Sequence, residues 1–252
     1  MAKFFMVYQL IGNAMINSEV GVILPTYGEA ENISKLIEAI EGLKLDASIL
    51  VIDDSSPDGT ADIVQEKQKK YPNISLYVRP KKTGLGTAIT DGFKIFLSAE
   101  KPPKYVFTMD ADYSHNPQDI PRLLATMTEC DCGIVIGSRY VKGGKIAGWP
   151  FTRKVISKTA NLIARASLGL KLKDCTSGYR CYSTKFLREA IGNLHSHTYE
   201  IQIETVRQAT LRKFSVKETP ILFVNRKNGK SKLSGTEIKS YLSYTLKAVW
   251  RS

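Results

Sequence analysis

From residue 20 to about residue 138, the chain alternates short apolar runs with stretches whose apolar positions recur at helical spacing. The apolar runs predict buried strands at Val20–Pro25, Ile49–Asp53, Ile74–Val78, Tyr105–Met109 and Gly133–Ile136. The helical spacing predicts helices at Asn32–Ile40, Thr60–Tyr71, Gly86–Leu97 and Pro117–Met127. This βαβ alternation indicates an α/β fold, a mostly parallel sheet with helices on both faces.

The pattern changes after Arg139. Helices are predicted at Thr152–Leu168, Lys185–Ile191, Glu200–Leu211 and Thr236–Val249, and an extended segment at Val216–Val224. Because no linker or repeat divides the chain, we expect one domain over residues 20–252 with basic C-terminal helices. Residues 1–19 form an N-terminal extension, interpreted as a packed or frayed segment or as one that contacts a membrane surface.

Composition excludes several classes of protein. Hydrophobic residues make up 43% of the 252 residues and charged residues 24%, which excludes a disordered or fibrous chain. No run of about 18 apolar residues is present, so no membrane-spanning helix is predicted. The cysteines are too few for a disulfide framework and lack zinc-site spacing, so we expect free thiols in a reducing compartment at Cys130, Cys132, Cys175 and Cys181.

The net charge of +12 is unevenly distributed. Residues 1–138 carry a net charge of −5, residues 139–185 of +10 and residues 186–252 of +7. Such concentration favours an anionic partner: a nucleic acid, a phospholipid surface or a phosphorylated substrate. The chain lacks the interleaved aromatic and basic residues that stack bases, which argues against nucleic acid.

Acidic residues follow two of the predicted strands. Asp53 and Asp54 follow the second strand, and Asp110 and Asp112 follow the fourth. Ligands of parallel sheets bind where the strands end, and Mg²⁺ or Mn²⁺ prefers one or two carboxylates together with phosphate oxygens. The glycine-rich dinucleotide and P-loop motifs are absent. Nucleotide binding is therefore expected to depend on carboxylates and a metal.

Eight segments in order resemble motifs of glycosyltransferase family 2, and within it most closely the dolichyl-phosphate mannosyltransferases. They are Pro25–Asn32, Asp53–Thr60, Gly84–Ala88, Asp110–His115, Gly137–Tyr140, the set Trp149, Arg153, Ser157 and Asn161, Asp174–Arg180, and Arg226–Leu233. The resemblance extends from about Val20 to Val249. One departure is Gly28, where the family usually has asparagine.

The resemblance implies a GT-A type fold and inverting transfer of mannose from GDP-mannose to dolichyl or polyprenyl phosphate, with Mg²⁺ or Mn²⁺ as cofactor. The product would be dolichyl phosphate mannose, a mannosyl donor for protein glycosylation. Transfer of glucose from UDP-glucose remains the alternative. The resemblance also implies a peripheral protein on the cytosolic face of the endoplasmic reticulum or, in an archaeon, of the plasma membrane. Small membrane-anchoring subunits are candidate partners.

The resemblance also assigns roles to residues. Pro25, Tyr27, Glu29, Ile52 and Asp54 would hold the guanosine; Asp110, Ala111 and Asp112 the ribose–diphosphate end; and Arg226 and Lys232 the diphosphate. Asp110, Asp112 and Ser114 would hold the metal, and Arg139, Arg153 and Ser157 the acceptor phosphate. Asp112 and Arg139, the latter also close to the donor, are the predicted catalytic residues.

An arginine-lined site is chemically suited to bind an acceptor phosphate. A phosphate monoester is largely anionic at neutral pH, so the nucleophile needs no general base, and the guanidinium group binds phosphate at two points. Some alternatives stay open at this stage. Arg139 could pair with an acid such as Glu204, and His115 is interpreted as a loop residue rather than a metal ligand. Trp149 and Trp250 are either interfacial anchors or buried.

Overall fold

The computed structural model describes residues 18–226 together with Tyr8 and Ile11. Lys232, the predicted helix at Thr236–Val249 and Trp250 lie outside the described residues. The first half contains β1 (Val20–Thr26), α1 (Ala30–Glu41), β2 (Ala47–Asp53), α2 (Thr60–Lys70), β3 (Ile74–Val78), α3 (Leu85–Ser98), β4 (Tyr105–Thr108), a 3-10 turn (Pro117–Asp119), α4 (Ile120–Cys130) and β5 (Ile134–Ser138). Each predicted strand and helix of this half is confirmed, with small shifts at the ends.

The second half adds mostly short strands and a long helix. Its elements are β6 (Lys145–Ala147), α5 (Phe151–Leu168), β7 (Arg180–Ser183), α6 (Thr184–Ala190), a 3-10 turn (Ile191–Asn193), α7 (Ile201–Leu211), β8 (Val216–Pro220) and β9 (Leu222–Val224). The sequence pattern did not predict β6 or β7. Among the helices of the described residues, none combines the length and apolar character needed to cross a bilayer.

The central sheet has the strand order β3-β2-β1-β4-β7-β5-β8. All neighbours pair in parallel except β7, which is antiparallel to both β4 and β5, so the predicted mostly parallel sheet is confirmed. β7 escaped the pattern because it is four residues long and begins with a buried arginine. The Arg180 guanidinium donates to the carbonyls of Ser177, Cys175 and Gln202 at 2.6–2.8 Å, which offsets the cost of burying its charge.

Apolar side chains cover both faces of the sheet. One core contains the buried positions of α1, α2 and α4, including Ile33, Val64 and Leu123. The other contains those of α3, α6 and α7, including Phe93 and Phe186. Each fully buried side chain of this kind contributes about 1.5–3 kcal/mol, so both cores hold the strand ends in fixed positions.

The cysteines differ from expectation. Cys130 and Cys132 form a disulfide, so the prediction of four free thiols is wrong for this pair, whose Cα atoms are 5.1 Å apart. Cys175 and Cys181 are free and buried. Burial raises the pKa of the Cys175 thiol to about 12, which keeps it protonated and unreactive at neutral pH.

Candidate active site

The loops that follow β1, β2 and β4 lie at the same edge of the sheet. Thr26 pairs with Asp53, and Ile23 pairs with Thr108, so the three strands end side by side. The acidic clusters that the sequence placed after separate strands therefore lie along the same edge of the sheet, as parallel strands require.

The two acids after β2 have different surroundings. Asp53 accepts hydrogen bonds from the Thr26 hydroxyl at 2.7 Å and from the Ser56 N–H at 2.8 Å, so it holds the loop together. Asp54 forms a buried ion pair with Arg79, which also donates to Asp91 at 3.2 Å. Burial raises the pKa of Asp54 despite the charge of Arg79. Its role in holding guanosine stays a prediction.

Gly28, the departure from the family pattern, has a conformational explanation. Its φ of +68° lies in the left-handed region, which glycine adopts freely and asparagine more readily than most residues. Glycine therefore meets the same backbone requirement as the usual asparagine. The N–H of Gly28 donates to the Ser56 hydroxyl at 2.9 Å, and Lys82 Nζ lies 4.1 Å from the centre of the Tyr27 ring.

Two of the predicted donor-binding residues have side chains in the core. Ile52 is 0% exposed and Ala111 is 3% exposed. The side chains of Ile52 and Ala111 are therefore not available to contact a nucleotide. Pro25 is half-buried, and Glu29 is buried with Oε1 at 4.0 Å from Nη1 of Arg226.

Asp110 and Asp112 lie on the loop after β4. Asp112 Oδ2 is 2.8 Å from Arg226 Nη2, and its Oδ1 accepts the N–H of Ser114 at 3.0 Å. Burial acts to raise the pKa of Asp112, but the hydrogen bonds from Ser114 and the charge of Arg226 outweigh it and hold that pKa below its usual value. Burial and the neighbouring Asp112 raise the pKa of Asp110.

Arg139 is held by an acid other than the one considered from sequence. Its Nε and Nη2 donate to the two oxygens of Asp174 at 2.7 Å each. Glu204 instead accepts the backbone N–H groups of His195 and Ser196. Arg139 therefore does pair with an acid, as the alternative from sequence proposed, but the acid is Asp174 and not Glu204.

The other predicted acceptor residues lie on α5. The Arg153 guanidinium lies 4.3 Å from the centre of the Trp149 ring and donates to Asn225 Oδ1 at 3.1 Å. Trp149 is 8% exposed, so of its two interpretations burial is confirmed. The Tyr140 hydroxyl is 2.8 Å from that of Ser157.

The carboxylates and the arginines line one cavity of about 480 Å³. Asp110, Asp112 and Arg226 lie on its wall together with Arg139, Arg153 and Ser157. Apolar side chains of α5 form a further part of the lining, namely Val155, Ile156, Ala160 and Ile163. The groups predicted for the donor diphosphate and for the acceptor phosphate therefore share one cavity.

Comparison with known families identifies this arrangement. Residues 21–191 match the model of glycosyl transferase family 2, which covers more than half of the chain. The chain belongs to glycosyl transferase family 2. The family named from the sequence motifs is thereby confirmed.

Two characterised relatives cover most of the chain. An undecaprenyl-phosphate mannosyltransferase of Micrococcus luteus is 41% identical over 215 residues, which are 84% of this chain and 86% of the relative. A polyprenol monophosphomannose synthase of Mycolicibacterium smegmatis is 39% identical over 220 residues, 86% of this chain and 82% of the relative. Both names agree with the closer resemblance stated from the motifs.

Solved structures confirm the fold. A glucosyl-3-phosphoglycerate synthase of Mycobacterium tuberculosis, solved with UDP, superposes with a TM-score of 0.68 at 16% identity, over 95% of this chain and 83% of the other. A mannosyltransferase of Pyrobaculum calidifontis, solved with GDP-Man and Mn²⁺, superposes with a TM-score of 0.61 at 13% identity, over 98% of this chain and 72% of the other. The predicted GT-A type fold is confirmed.

The donor set at Asp110 and Asp112 fits a hard divalent cation, because both supply carboxylate oxygens to the cavity. Within residues 18–226 no three His, Cys, Asp or Glu side chains cluster into a complete metal site. The remaining ligands would then come from diphosphate oxygens and water, the usual arrangement for Mg²⁺ and Mn²⁺. Ser114 is buried beside Asp112, and its contribution to a metal site stays a prediction.

His115 is buried between aromatic rings. Its ring centre lies 5.0 Å from that of Tyr179 and 5.3 Å from that of Phe223, and its Nδ1 accepts the N–H of Asp110 at 3.2 Å. Burial lowers the pKa of His115, so the ring is neutral. His115 lies in a loop, as expected from the sequence, and its contact with the N–H of Asp110 was not predicted.

Sequence reasoning missed part of the cavity wall. Gly178, Tyr199 and Gln202 line it, and none of them was singled out as a site residue. Gly178 lies within a motif that the sequence did show, and it could have been found there. Tyr199 carried no signal, and Gln202 carried none because the helical pattern of Glu200–Leu211 accounted for it.

Proposed function

We propose that the chain transfers mannose from GDP-mannose to the phosphate of a polyprenol, dolichol being one such lipid, with inversion at the anomeric carbon. The observation that carries this proposal is the single cavity shared by Asp110, Asp112 and Arg226 with Arg139, Arg153 and Ser157. The names of the two relatives support the mannosyl group and the polyprenol phosphate acceptor. The structural neighbour solved with GDP-Man supports the donor.

The donor end must accommodate a diphosphate that gains charge as the bond to the sugar breaks. Arg226 Nη2 lies 2.8 Å from Asp112 Oδ2, and in this proposal its guanidinium stabilises the charge that develops on the diphosphate. Lys232, outside the described residues, is proposed to act with it. A divalent cation held by Asp110 and Asp112 would supply further electrostatic stabilisation of the leaving GDP.

The acceptor end must orient an anion. Arg153 has no ion-pair partner within residues 18–226; its guanidinium lies against the Trp149 ring and donates to the Asn225 amide oxygen. Burial lowers the pKa of Arg153, and repulsion from the charges of Arg226 and Arg139 lowers it further. A phosphate bound there relieves this repulsion, and its oxygen can attack the anomeric carbon without a general base.

A lipid acceptor requires contact with a membrane. The outer face of α5 exposes Phe151 (80%) and Leu162 (62%) beside Lys158. Such a face suits peripheral binding at an anionic lipid surface, with the acceptor chain along the apolar part of the cavity. The cytosolic face, anchoring subunits and use of the product in protein glycosylation remain part of this proposal.

The test is a transfer assay with the full chain, Mn²⁺ or Mg²⁺, radiolabelled GDP-mannose and a polyprenyl phosphate in detergent. We expect a mannolipid whose anomeric configuration is opposite to that of the donor. A parallel reaction with UDP-glucose checks the alternative donor, which neither relative's name favours. Folded protein that forms no mannolipid with either metal, or forms glucolipid in preference, would contradict the proposal.

A further inference from the structure

Gln202 is a buried polar residue without an assigned role. It lies in the first turn of α7, is 2% exposed, and contributes to the wall of the cavity. Its side-chain Oε1 has no hydrogen-bond partner among the described residues. Buried polar atoms are almost always paired, so an unpaired amide oxygen in the wall of a ligand cavity points to a ligand group.

Gly178 shows where the amide lies relative to the donor site. A Cβ atom on Gly178 would stand 3.3 Å from Oδ1 of Asp110 and 3.5 Å from Nε2 of Gln202. The φ of Gly178 is not in the left-handed region, so the backbone conformation does not require glycine here. Because Gly178 has no side chain, it leaves space between the carboxylate of Asp110 and the amide of Gln202.

The backbone around Gln202 is fixed. Its carbonyl accepts a hydrogen bond from Nη1 of the buried Arg180 at 2.6 Å, and its N–H donates to the carbonyl of Tyr199 at 3.2 Å. The side chain therefore projects from a rigid part of the wall. A rigidly held amide selects a ligand group by position, because little conformational freedom is lost on binding.

The chemistry of an amide distinguishes which part of the substrates it faces. Phosphate groups are matched by Arg139, Arg153 and Arg226, whereas an uncharged amide offers one acceptor and two donors of hydrogen bonds. A sugar hydroxyl is both donor and acceptor, and the transferred sugar must lie between the two phosphate sites. We propose that the Gln202 amide hydrogen-bonds a hydroxyl of the transferred sugar and so helps determine which sugar is accepted; this inference rests on the proposed function.

The first test compares GDP with GDP-mannose, each with Mn²⁺, by calorimetry on the full chain and on Gln202→Leu. We expect the Kd of GDP to stay within about twofold and the Kd of GDP-mannose to rise about tenfold, as for one lost hydrogen bond. Equal affinity of the variant and the original chain for GDP-mannose, or equal loss for both ligands, would overturn the inference. If the Gln202→Leu variant transfers mannose as well as the original chain does, the inference about Gln202 is overturned and the proposed function stands.

The second test uses donors that lack one sugar hydroxyl each. The original chain should bind one of the 2-, 3-, 4- or 6-deoxy analogues about tenfold more weakly than GDP-mannose. The Gln202→Leu variant should bind that analogue no more weakly than the original chain does. This test does not depend on the variant alone, because a series in which no analogue is weakened on the original chain also overturns the inference. Absence of GDP-mannose binding by the original chain would instead refute the proposed function itself.

Gln208→Leu is the matched control. Gln208 is also buried on α7, but its Nε2 donates to the Asn193 carbonyl at 3.3 Å and its Oε1 accepts from Arg212. Loss of this amide should change GDP and GDP-mannose binding by the same factor. A selective loss of GDP-mannose affinity in Gln208→Leu would show that any amide of α7 produces the effect, and would overturn the assignment to Gln202.

Discussion

Arg139 and Asp174 form a buried ion pair joined at two points, Nε to Oδ2 and Nη2 to Oδ1, each 2.7 Å long. The Arg139 N–H also donates to Asp174 Oδ2 at 3.0 Å. Asp174 thus neutralises Arg139 and fixes its guanidinium on the cavity wall. The partners described for Arg153 carry no charge, which makes Arg153 the stronger candidate to bind the acceptor phosphate.

Asp174→Asn should strongly destabilise the protein, because it leaves the buried charge of Arg139 without its counter-charge. We expect the free energy of unfolding to fall by about 3–5 kcal/mol, measured by urea denaturation. Glu66→Gln is the control, since Glu66 and Lys69 form a largely exposed ion pair worth less than about 1 kcal/mol. Similar losses in both variants would contradict the prediction.

Acid should remove the contribution of Asp174. Burial acts to raise the pKa of Asp174, but Arg139 outweighs it and holds the pKa below the unfolded value of about 3.9. The pair therefore stabilises the fold fully above about pH 4, and this stability is lost as the pH falls through the lower native pKa. The stability difference between the original chain and Asp174→Asn should shrink on acidification below pH 4, and a constant difference would refute this.

Asp112→Asn should abolish metal-dependent nucleotide binding. Asparagine keeps the size of the side chain but removes the charge that the cation needs. Calorimetry with GDP should show stronger binding in the presence of Mn²⁺ for the original chain and no such gain for the variant. Asp119→Asn, which alters an acid paired with Arg122, should keep the Mn²⁺ effect. A persistent metal effect in Asp112→Asn would exclude Asp112 as a ligand.

Arg153→Ala should impair use of the acceptor more than binding of the donor. Loss of a charge-assisted contact to phosphate should raise the KM for polyprenyl phosphate about tenfold or more, with GDP affinity changed less than about twofold. Lys154→Ala on the same helix is the control for general loss of positive charge. Equal loss of donor and acceptor affinity would reject the assigned acceptor role.

Tyr8→Phe should destabilise the protein by removing a hydrogen bond to Asp91. The Tyr8 hydroxyl donates to Asp91 Oδ1 at 2.7 Å, and Asp91 Oδ2 lies 3.2 Å from Arg79 Nη1, the partner of Asp54. Loss of this hydrogen bond to a carboxylate should cost about 1.5–3 kcal/mol in urea denaturation. Tyr113→Phe is the control, because Tyr113 is 42% exposed. An unchanged midpoint in Tyr8→Phe would show that the hydrogen bond between Tyr8 and Asp91 contributes no stability.

The alternation of apolar strands with amphipathic helices determined the α/β class, since burial on both faces of a parallel sheet requires it. The ends of parallel strands meet at one edge of a sheet, so the position of Asp110 and Asp112 after β4 could be expected from the sequence. Arg153 lies on α5 and Arg226 follows β9, and the tertiary structure brings both to the cavity that the two aspartates line.

Only the tertiary structure decided the partners of buried polar groups. Nothing in the local sequence shows that Asp174 pairs with Arg139, that Arg180 begins an antiparallel strand, or that Gln202 faces the cavity. The local pattern of apolar and polar residues indicates which side of a helix or strand is buried. The identity of a hydrogen-bond or ion-pair partner depends on which elements pack together, and that is a property of the whole fold.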